Sequence, residues 1–353
     1  MTDDKKEVVD LTAPQPEAPQ PEKRIVGLDI GTMNIVSAIF DSKNKETNVS
    51  SVKNMFLTLE NDIDADLSSI DHVEGDGNIY IFGQHALQFA NIFGNTPRRP
   101  MAKGLISTEE IDAIDVLSLM IENLIGKGNG NDKCIYAIPS PMIDSDLSVI
   151  YHERVLNRIL TNLGYQPSSI SQPLTVIYSQ CEPEQFSGIS IDFGAGNCNI
   201  GLAYRRNLAL TFSTARSGDW IDQETAKSLG IKAVGRVTVL KEKELDLTNP
   251  MVGSKKEKRV REGLTYYYEN LIRYSLNLIR KEFEEIADTV SIPQELPLIV
   301  SGGTSKAKGF LEFFRNIFEN FEDFPVKIKE IRQSEDPLSA VAEGALIKGL
   351  SNR

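Results

Sequence analysis

A chain of 353 residues, 41% hydrophobic and 25% charged, is long enough for two lobes with cores of their own, and no run in it approaches the ~18 to 20 apolar residues of a membrane span. Its net charge of -12 opposes a polyphosphate backbone, which disfavours direct nucleic-acid binding. The three cysteines, Cys134, Cys181 and Cys198, are scattered and lack metal-ligand spacing, so buried reduced thiols and no disulfide are expected.

Residues 1–23 include PQPEAPQPEK, whose apolar content is too low to offset the entropy of ordering, so a flexible tail is predicted. The tail lacks the basic flank and apolar centre of a signal peptide, and a cytoplasmic protein is expected. From Arg24, RIVGLDIG reads as a buried strand entering a glycine turn, and NIVSAIF as the returning strand of a hairpin. A variable stretch to about Gly104 follows. The spacing of Ile111, Ile114, Leu117, Ile121 and Leu124 then predicts an amphipathic helix. CIYAIP reads as a strand, and a second helix ends near Leu163.

The opening grammar returns in GISIDFGAGNCNIGLAYRR, followed by the strand LALTFSTA and a helix opened by RSGDWIDQETAKSLG. The basic run Lys255-Lys256-Glu257-Lys258-Arg259 reads as the solvated start of a long helix reaching about Ile286, because Val260, Leu264, Tyr267, Leu271 and Leu278 follow mostly at spacings of three and four. PLIVSGGTS is a strand turning into a helix near Lys306, and DPLSAVAEGALIKGL closes the chain as a helix.

The chemistry lies in DIGTMN at Asp29 and DFGAGN at Asp192, where an aspartate precedes an apolar residue, a glycine, two variable residues and an asparagine. Two βββαβα-like halves would put these turns on opposite walls of a cleft, where a polyphosphate is gripped from both sides. Gly31, Gly194 and Gly196 let the backbone approach a ligand with its N–H groups aimed at phosphate oxygens. Asp29 and Asp192 would repel phosphate directly, so their natural role is to hold Mg2+ through water, with Thr32 and Asn34 adding hydrogen bonds. A third glycine turn, Ser301 to Thr304, completes the constellation. Gly126-Lys127 is followed by glycine and no G-x-G-x-x-G opens a helix after the first strand, so P-loop and Rossmann readings lose their support.

These motifs resemble the superfamily of actin, heat-shock chaperone and sugar-kinase ATPases, and within it the bacterial actins of the MreB type. LDIGTMN resembles the first phosphate motif, ISIDFGAGNCNIGLA the second and LIVSGGTSKAKGF the adenosine motif; AIPSPM and DPLSAVAEGALIKG fall where the two interdomain connecting segments occur. YIFGQHAL, RRPMAKGLI and SGDWID keep the family's order, and the likeness spans nearly everything after Arg24. It implies an α/β, two-lobed actin-like fold with duplicated ribonuclease-H-like domains around a nucleotide cleft. The expected division is a tail at 1–23, lobe I at 24–178, lobe II at 179–335, and a helix at 336–353 returning to lobe I.

The resemblance further implies that Asp29, Gly31, Thr32 and Asn34 hold phosphate and metal from one lobe and Asp192, Gly194 and Gly196 from the other. Gly302 and Gly303 would lie against the adenosine, with Lys241 or Glu242 of VTVLKEKEL at the ribose and adenine. A carboxylate on the helix YHERVLNRILTNLGY would orient the attacking water: Glu153, or alternatively Asp146. Adjacent His152 is expected to be a surface or hydrogen-bonded histidine. Met33 and Asn197 depart from the family's loops, each removing a possible hydroxyl contact. The function implied is an actin-like ATPase that binds Mg2+-ATP and polymerises, with cargo or adaptor proteins as further partners. The alternatives are a non-polymerising nucleotide-binding scaffold, a chaperone-like ATPase and a small-molecule kinase. The chain ends at Arg353 soon after the last motif, which leaves little room for a peptide-binding domain. The proline-rich acidic tail supplies no amphipathic helix, so direct membrane binding is not expected.

Overall fold

The computed structural model describes residues 23–41, 43–60, 67–68, 70, 72–75, 77–288 and 292–351; the expected flexible tail lies outside these residues but for Lys23. In chain order the first part contains β1 (Ile25–Ile30), β2 (Asn34–Asp41), β3 (Glu46–Lys53), β4 (Phe56–Glu60), β5 (His72–Gly75), β6 (Asn78–Phe82), α1 (Gln84–Phe93), β7 (Met101–Ala102) and β8 (Leu105–Ile106). There follow α2 (Ala113–Ile125), β9 (Lys133–Ile138), α3 (Val149–Asn162), β10 (Gln166–Ser171) and α4 (Gln172–Gln180). The second part contains β11 (Gly188–Phe193), β12 (Cys198–Tyr204), β13 (Asn207–Thr214), α5 (Gly218–Ser228), α6 (Val234–Glu244) and α7 (Lys255–Ile286). It closes with β14 (Leu296–Ser301), a short 3-10 turn (Gly303–Lys306), α8 (Phe310–Glu319), β15 (Ile328–Gln333) and α9 (Ala340–Ser351).

Two five-stranded sheets form the frame, ordered β10-β9-β1-β2-β3 and β15-β14-β11-β12-β13. Order and sense are the same in both. β1 runs antiparallel to β2 and parallel to β9, as β11 runs antiparallel to β12 and parallel to β14. The two aspartate turns therefore occupy equivalent places, each joining a central strand to its antiparallel neighbour. A separate three-stranded sheet, β4-β6-β5, packs with α1 around Leu57, Leu59, Ile79, Ile81 and Ala86 and fills much of the stretch that carried no sequence signal.

The layers follow from which faces are apolar. α2 and α3 cover one face of the first sheet, burying Val116, Leu117, Met120, Leu156 and Leu160 against Val26, Leu28 and Tyr136. α7 and α8 cover the second sheet in the same way, with Leu264, Leu271, Leu276 and Phe314 on Ile189, Ile191 and Val300. Between the sheets lie α4 and α9, whose Val176, Ile177, Val341 and Ala345 share one core with Ile135, Ile170, Ala203 and Ile299.

This middle layer is closed by glycines. A Cβ on Gly27 of β1 would fall 2.1 Å from the Ala342 carbonyl oxygen of α9, and one on Gly344 of α9 would fall 1.8 Å from the Thr175 carbonyl oxygen of α4. A Cβ on Gly201 of β12 would fall 2.7 Å from Pro173 Cβ of α4.

Three sequence expectations change. α2 starts at Ala113, so Ile111 lies outside it and is 95% exposed; the buried stripe is Ala113, Val116, Leu117, Met120 and Ile121, one position round from the one read off the isoleucines. The helix expected near Lys306 begins at Phe310, because the 3-10 turn and Gly309 intervene. The passage between the sheets is made by α4 rather than by AIPSPM. That segment instead stitches the sheets side by side, Ser140 N–H donating to Asn199 Oδ1 and Ile143 N–H to the Ser213 carbonyl. All three cysteines are buried and unbridged.

Candidate functional site: a cleft with matched aspartate turns

On the first wall, Asp29 stands one residue before the end of β1 and the turn closes when Gly31 N–H donates to the Asn34 carbonyl at 2.9 Å. Fully buried Asn54 pins the turn from below: its Nδ2 donates to the Gly31 carbonyl at 2.7 Å, and its backbone N–H to Met33. On the second wall, Asp192 stands one residue before the end of β11, and Gly194 N–H donates to the Asn197 carbonyl at 3.1 Å, the equivalent bond. Here the Gly194 carbonyl accepts from Thr304 Oγ1, Gly218 N–H and Ser217 Oγ. Each turn leaves the same two N–H groups without a partner among the described residues, those of Thr32 and Met33 on one side and Ala195 and Gly196 on the other. Unpaired successive N–H groups in a tight turn form an anion cradle.

The walls also touch. The Gly104 N–H, from the β7–β8 turn of the first part, donates to Thr32 Oγ1 at 2.9 Å, and a Cβ on Gly196 would fall 2.2 Å from that same oxygen. Thr32 is thus buried as a pin between the walls. Arg99 adds an ion pair at 2.9 Å to Asp219 at the start of α5.

Between the turns opens a cleft of about 590 Å3, within the roughly 300–1,000 Å3 common for small-molecule sites. Asp29, Gly31, Thr32, Asn34, Asp192, Gly194, Lys241, Glu242, Gly302 and Gly303 all line it. Gly196, Glu153 and Asp146 do not. Gly196 is taken up by its contact with Thr32. On α3 it is His152 that faces inward, its Nδ1 accepting from Ile106 N–H at 3.3 Å and its pKa pulled down to about 4 by burial. Glu153, one residue round the helix, turns toward β10, where Ser169 Oγ donates to its carboxylate at 2.6 Å. The structure therefore does not bring the expected water-orienting carboxylate to the cleft.

Burial holds the Asp192 carboxyl up at about 6, although Gln172 Nε2 donates to its Oδ2 at 2.7 Å and favours the charged form. Asp29 is held higher, at about 8, by burial and then by the charge on Asp192. Asp192 Oδ1 is buried without a partner, and Gly302, at φ 86°, brings the third glycine turn so close that a Cβ there would sit 2.7 Å from it. Two carboxyls resisting ionisation and a bare carboxylate oxygen fit a divalent cation. Among the described residues no group of three or more His, Cys, Asp or Glu could hold a metal ion.

At the other end of the cleft, Lys241 of α6 is buried against Asp222 of α5 at 2.9 Å and also donates to the Gly218 carbonyl. Asp222 is nonetheless pushed up by burial, and its Oδ1 has no partner. Tyr268 of α7 lines the same end, its hydroxyl donating to the Thr304 carbonyl. Sequence reasoning missed Gln172, Asn54, Asp222 and Gly104. A signal existed for two of them: Gln172 sits in SQP at a helix start, and Asp222 follows Asp219 by one helical turn in SGDWID.

A duplicated sheet around a cleft, each half offering an Asp-Gly turn, defines the two-lobed actin-like ATPase fold, and solved structures bear this out. A MamK double helical filament matches with a TM-score of 0.62 at 18% identity, over 94% of this chain and 99% of that one. MreB5 of Spiroplasma citri bound to AMPPNP matches at 0.65 and 14%, over 94% and 99%. The ethanolamine utilization protein EutJ from Carboxydothermus hydrogenoformans matches at 0.55 and 16%, over 94% and 92%. Within this class, residues 25–349 match the family described as Volactin, and the chain belongs to that family. No curated protein sequence matches it. No helix among the described residues is long and apolar enough to cross a membrane.

Proposed function

We propose that this chain binds Mg2+-ATP between its two lobes, hydrolyses it, and uses nucleotide state to control head-to-tail self-association into cytoplasmic filaments. The observation that carries the reading is the matched pair of turns, each with an unpaired N–H pair and a carboxyl that resists ionisation. In this reading the lobes are residues 24–178 and 179–335, with 336–353 returning to the first, and adaptors or cargo bind the polymer. The similar MreB5 is described bound to AMPPNP and to ADP, and MamK as a filament, which supports the same ligand class and self-association here.

The chain's own groups divide the work. The N–H groups of Thr32, Met33 and Ala195 would receive phosphate oxygens, Asp29 and Asp192 would hold the metal's waters, and Gly302, Gly303, Lys241 and Glu242 border the nucleoside. Mg2+ supplies charge neutralisation at the phosphates. With Glu153 turned away, the polar side chain nearest the role of orienting water is Gln172. Its amide N–H is engaged with Asp192, so its carbonyl oxygen is the atom left to accept from a water.

Gln172→Ala removes the bond that favours the charged Asp192, so the carboxyl's pKa rises further and protons compete better with Mg2+. Mg2+-ATP affinity should fall about tenfold at pH 7 and recover toward pH 9, where both forms are ionised. Calorimetry across that range reads it, and a pH-independent loss would assign Gln172 a purely steric role.

Filament formation is tested by pelleting and negative-stain microscopy with ATP, ADP and AMPPNP. A critical concentration is expected with ATP. The charge of -12 repels copies from one another, so pelleting should improve from low to moderate salt. Monomers under every condition, with ATP binding demonstrated, would favour the non-polymerising scaffold.

A further inference from the structure

A second cavity of about 340 Å3 lies at the start of α7, floored by Leu229, Ile231 and Val260 and rimmed by Lys255, Lys256 and Arg259. The three cations are exposed, and none has a side-chain partner among the described residues. The carboxylate in their midst, Glu257, is committed to a capping box with Ser254. Met251 and Val252, each 53% exposed, lead into the groove's helix. Unpaired cations around an apolar floor, on a protein of net charge -12, match an occupant that is both acidic and apolar.

The chain carries such a segment outside its described residues. Residues 1–22 hold Asp3, Asp4, Glu7, Asp10, Glu17 and Glu22 against Lys5 and Lys6, and their most apolar stretch is Glu7-Val8-Val9-Asp10-Leu11. We propose that Glu7–Leu11 of one copy docks in the basic groove of the next, its apolar side chains on the floor and its carboxylates at the rim. This rests on the head-to-tail reading above.

The link from Leu11 to Lys23 spans at most roughly 40 Å fully extended, long enough to carry the segment onto an adjoining copy.

The test uses a fluorescent peptide of residues 2–14 titrated with the full chain and followed by anisotropy. Binding is expected, at least tenfold weaker for Lys255→Glu/Lys256→Glu/Arg259→Glu, weaker with rising salt, and lost for a peptide with Val8→Asp and Leu11→Asp. No binding, or binding that the triple variant retains, overturns the proposal whether or not filaments form. Binding in a protein that never pellets supports the docking and counts against the filament reading alone. Vesicles of phosphatidylglycerol and phosphatidylcholine form the other arm: flotation lost in the triple variant, with no peptide binding, would assign the groove to an anionic membrane instead.

Discussion

Asp192→Asn and Asp29→Asn should each weaken Mg2+-ATP binding by about 100-fold or more, while the ligand-free protein becomes less sensitive to alkali. Both carboxyls have folded pKa values above the ordinary 3.8, so the folded protein keeps protons that the unfolded chain has released. Their contribution to stability is therefore present below about 3.8 and is lost as pH rises, through about 6 for Asp192 and about 8 for Asp29. The ligand-free wild type should melt progressively lower from pH 5 to 9, and Mg2+-ATP should restore more at pH 8 than at pH 5. Asp192→Asn removes the first loss and eases the second, because the charge that raises Asp29 is gone. Asp29→Asn removes only the second. Thermal melts across that range, with calorimetry of Mg2+-ATP, read both effects. Unchanged affinity in both variants would remove the aspartates from the site.

Gly344→Ala should be among the most destabilising single-methyl changes in the molecule, costing about 3 kcal/mol or more, at or beyond the upper end for overpacking. The added Cβ lies 1.8 Å from the Thr175 carbonyl oxygen and 2.5 Å from its carbon, so no side-chain rotation relieves it and α9 must back away from α4. Gly235→Ala is the counterpart. Gly235 sits in α6 with nothing within 4 Å of its Cβ position, and alanine there should stabilise slightly, by at most about 1 kcal/mol. Chemical denaturation of the two variants should give opposite signs. A neutral Gly344→Ala would mean that the middle layer is looser than its geometry indicates.

What could be read from the sequence was what is local. Each aspartate turn is a strand, a glycine and a strand, written within a dozen residues, so both were legible. The start of α7 was legible because Val260, Leu264 and Leu271 keep their period after the basic run, and the structure adds the cap formed by Ser254 and Glu257. The stripe on α2 was displaced because Ile111 fits the spacing but precedes the helix, and periodicity alone does not say where helical geometry begins. Glu153 is the one carboxylate of its helix, but no residue of α3 lines the cleft: His152 packs beneath Ile106 and Glu153 turns to β10. The contact of Gly104 with the aspartate turns joins residues far apart in the chain through a two-residue hairpin too short to leave a pattern. Gln172 faces the site only because α4 starts where β10 ends at the cleft.

The glycine-closed stack of β1, α9, α4 and β12 acts as a ruler between the sheets. At Gly27 and Gly344 the contacts are made to main-chain oxygens, and at Gly201 to a proline ring that cannot change rotamer. The thickness of that layer is therefore fixed by peptide geometry rather than by side-chain volume. The two aspartate turns stand at a distance gauged by the backbone itself, and substitutions elsewhere in the cores can alter how tightly each half is filled without resetting it.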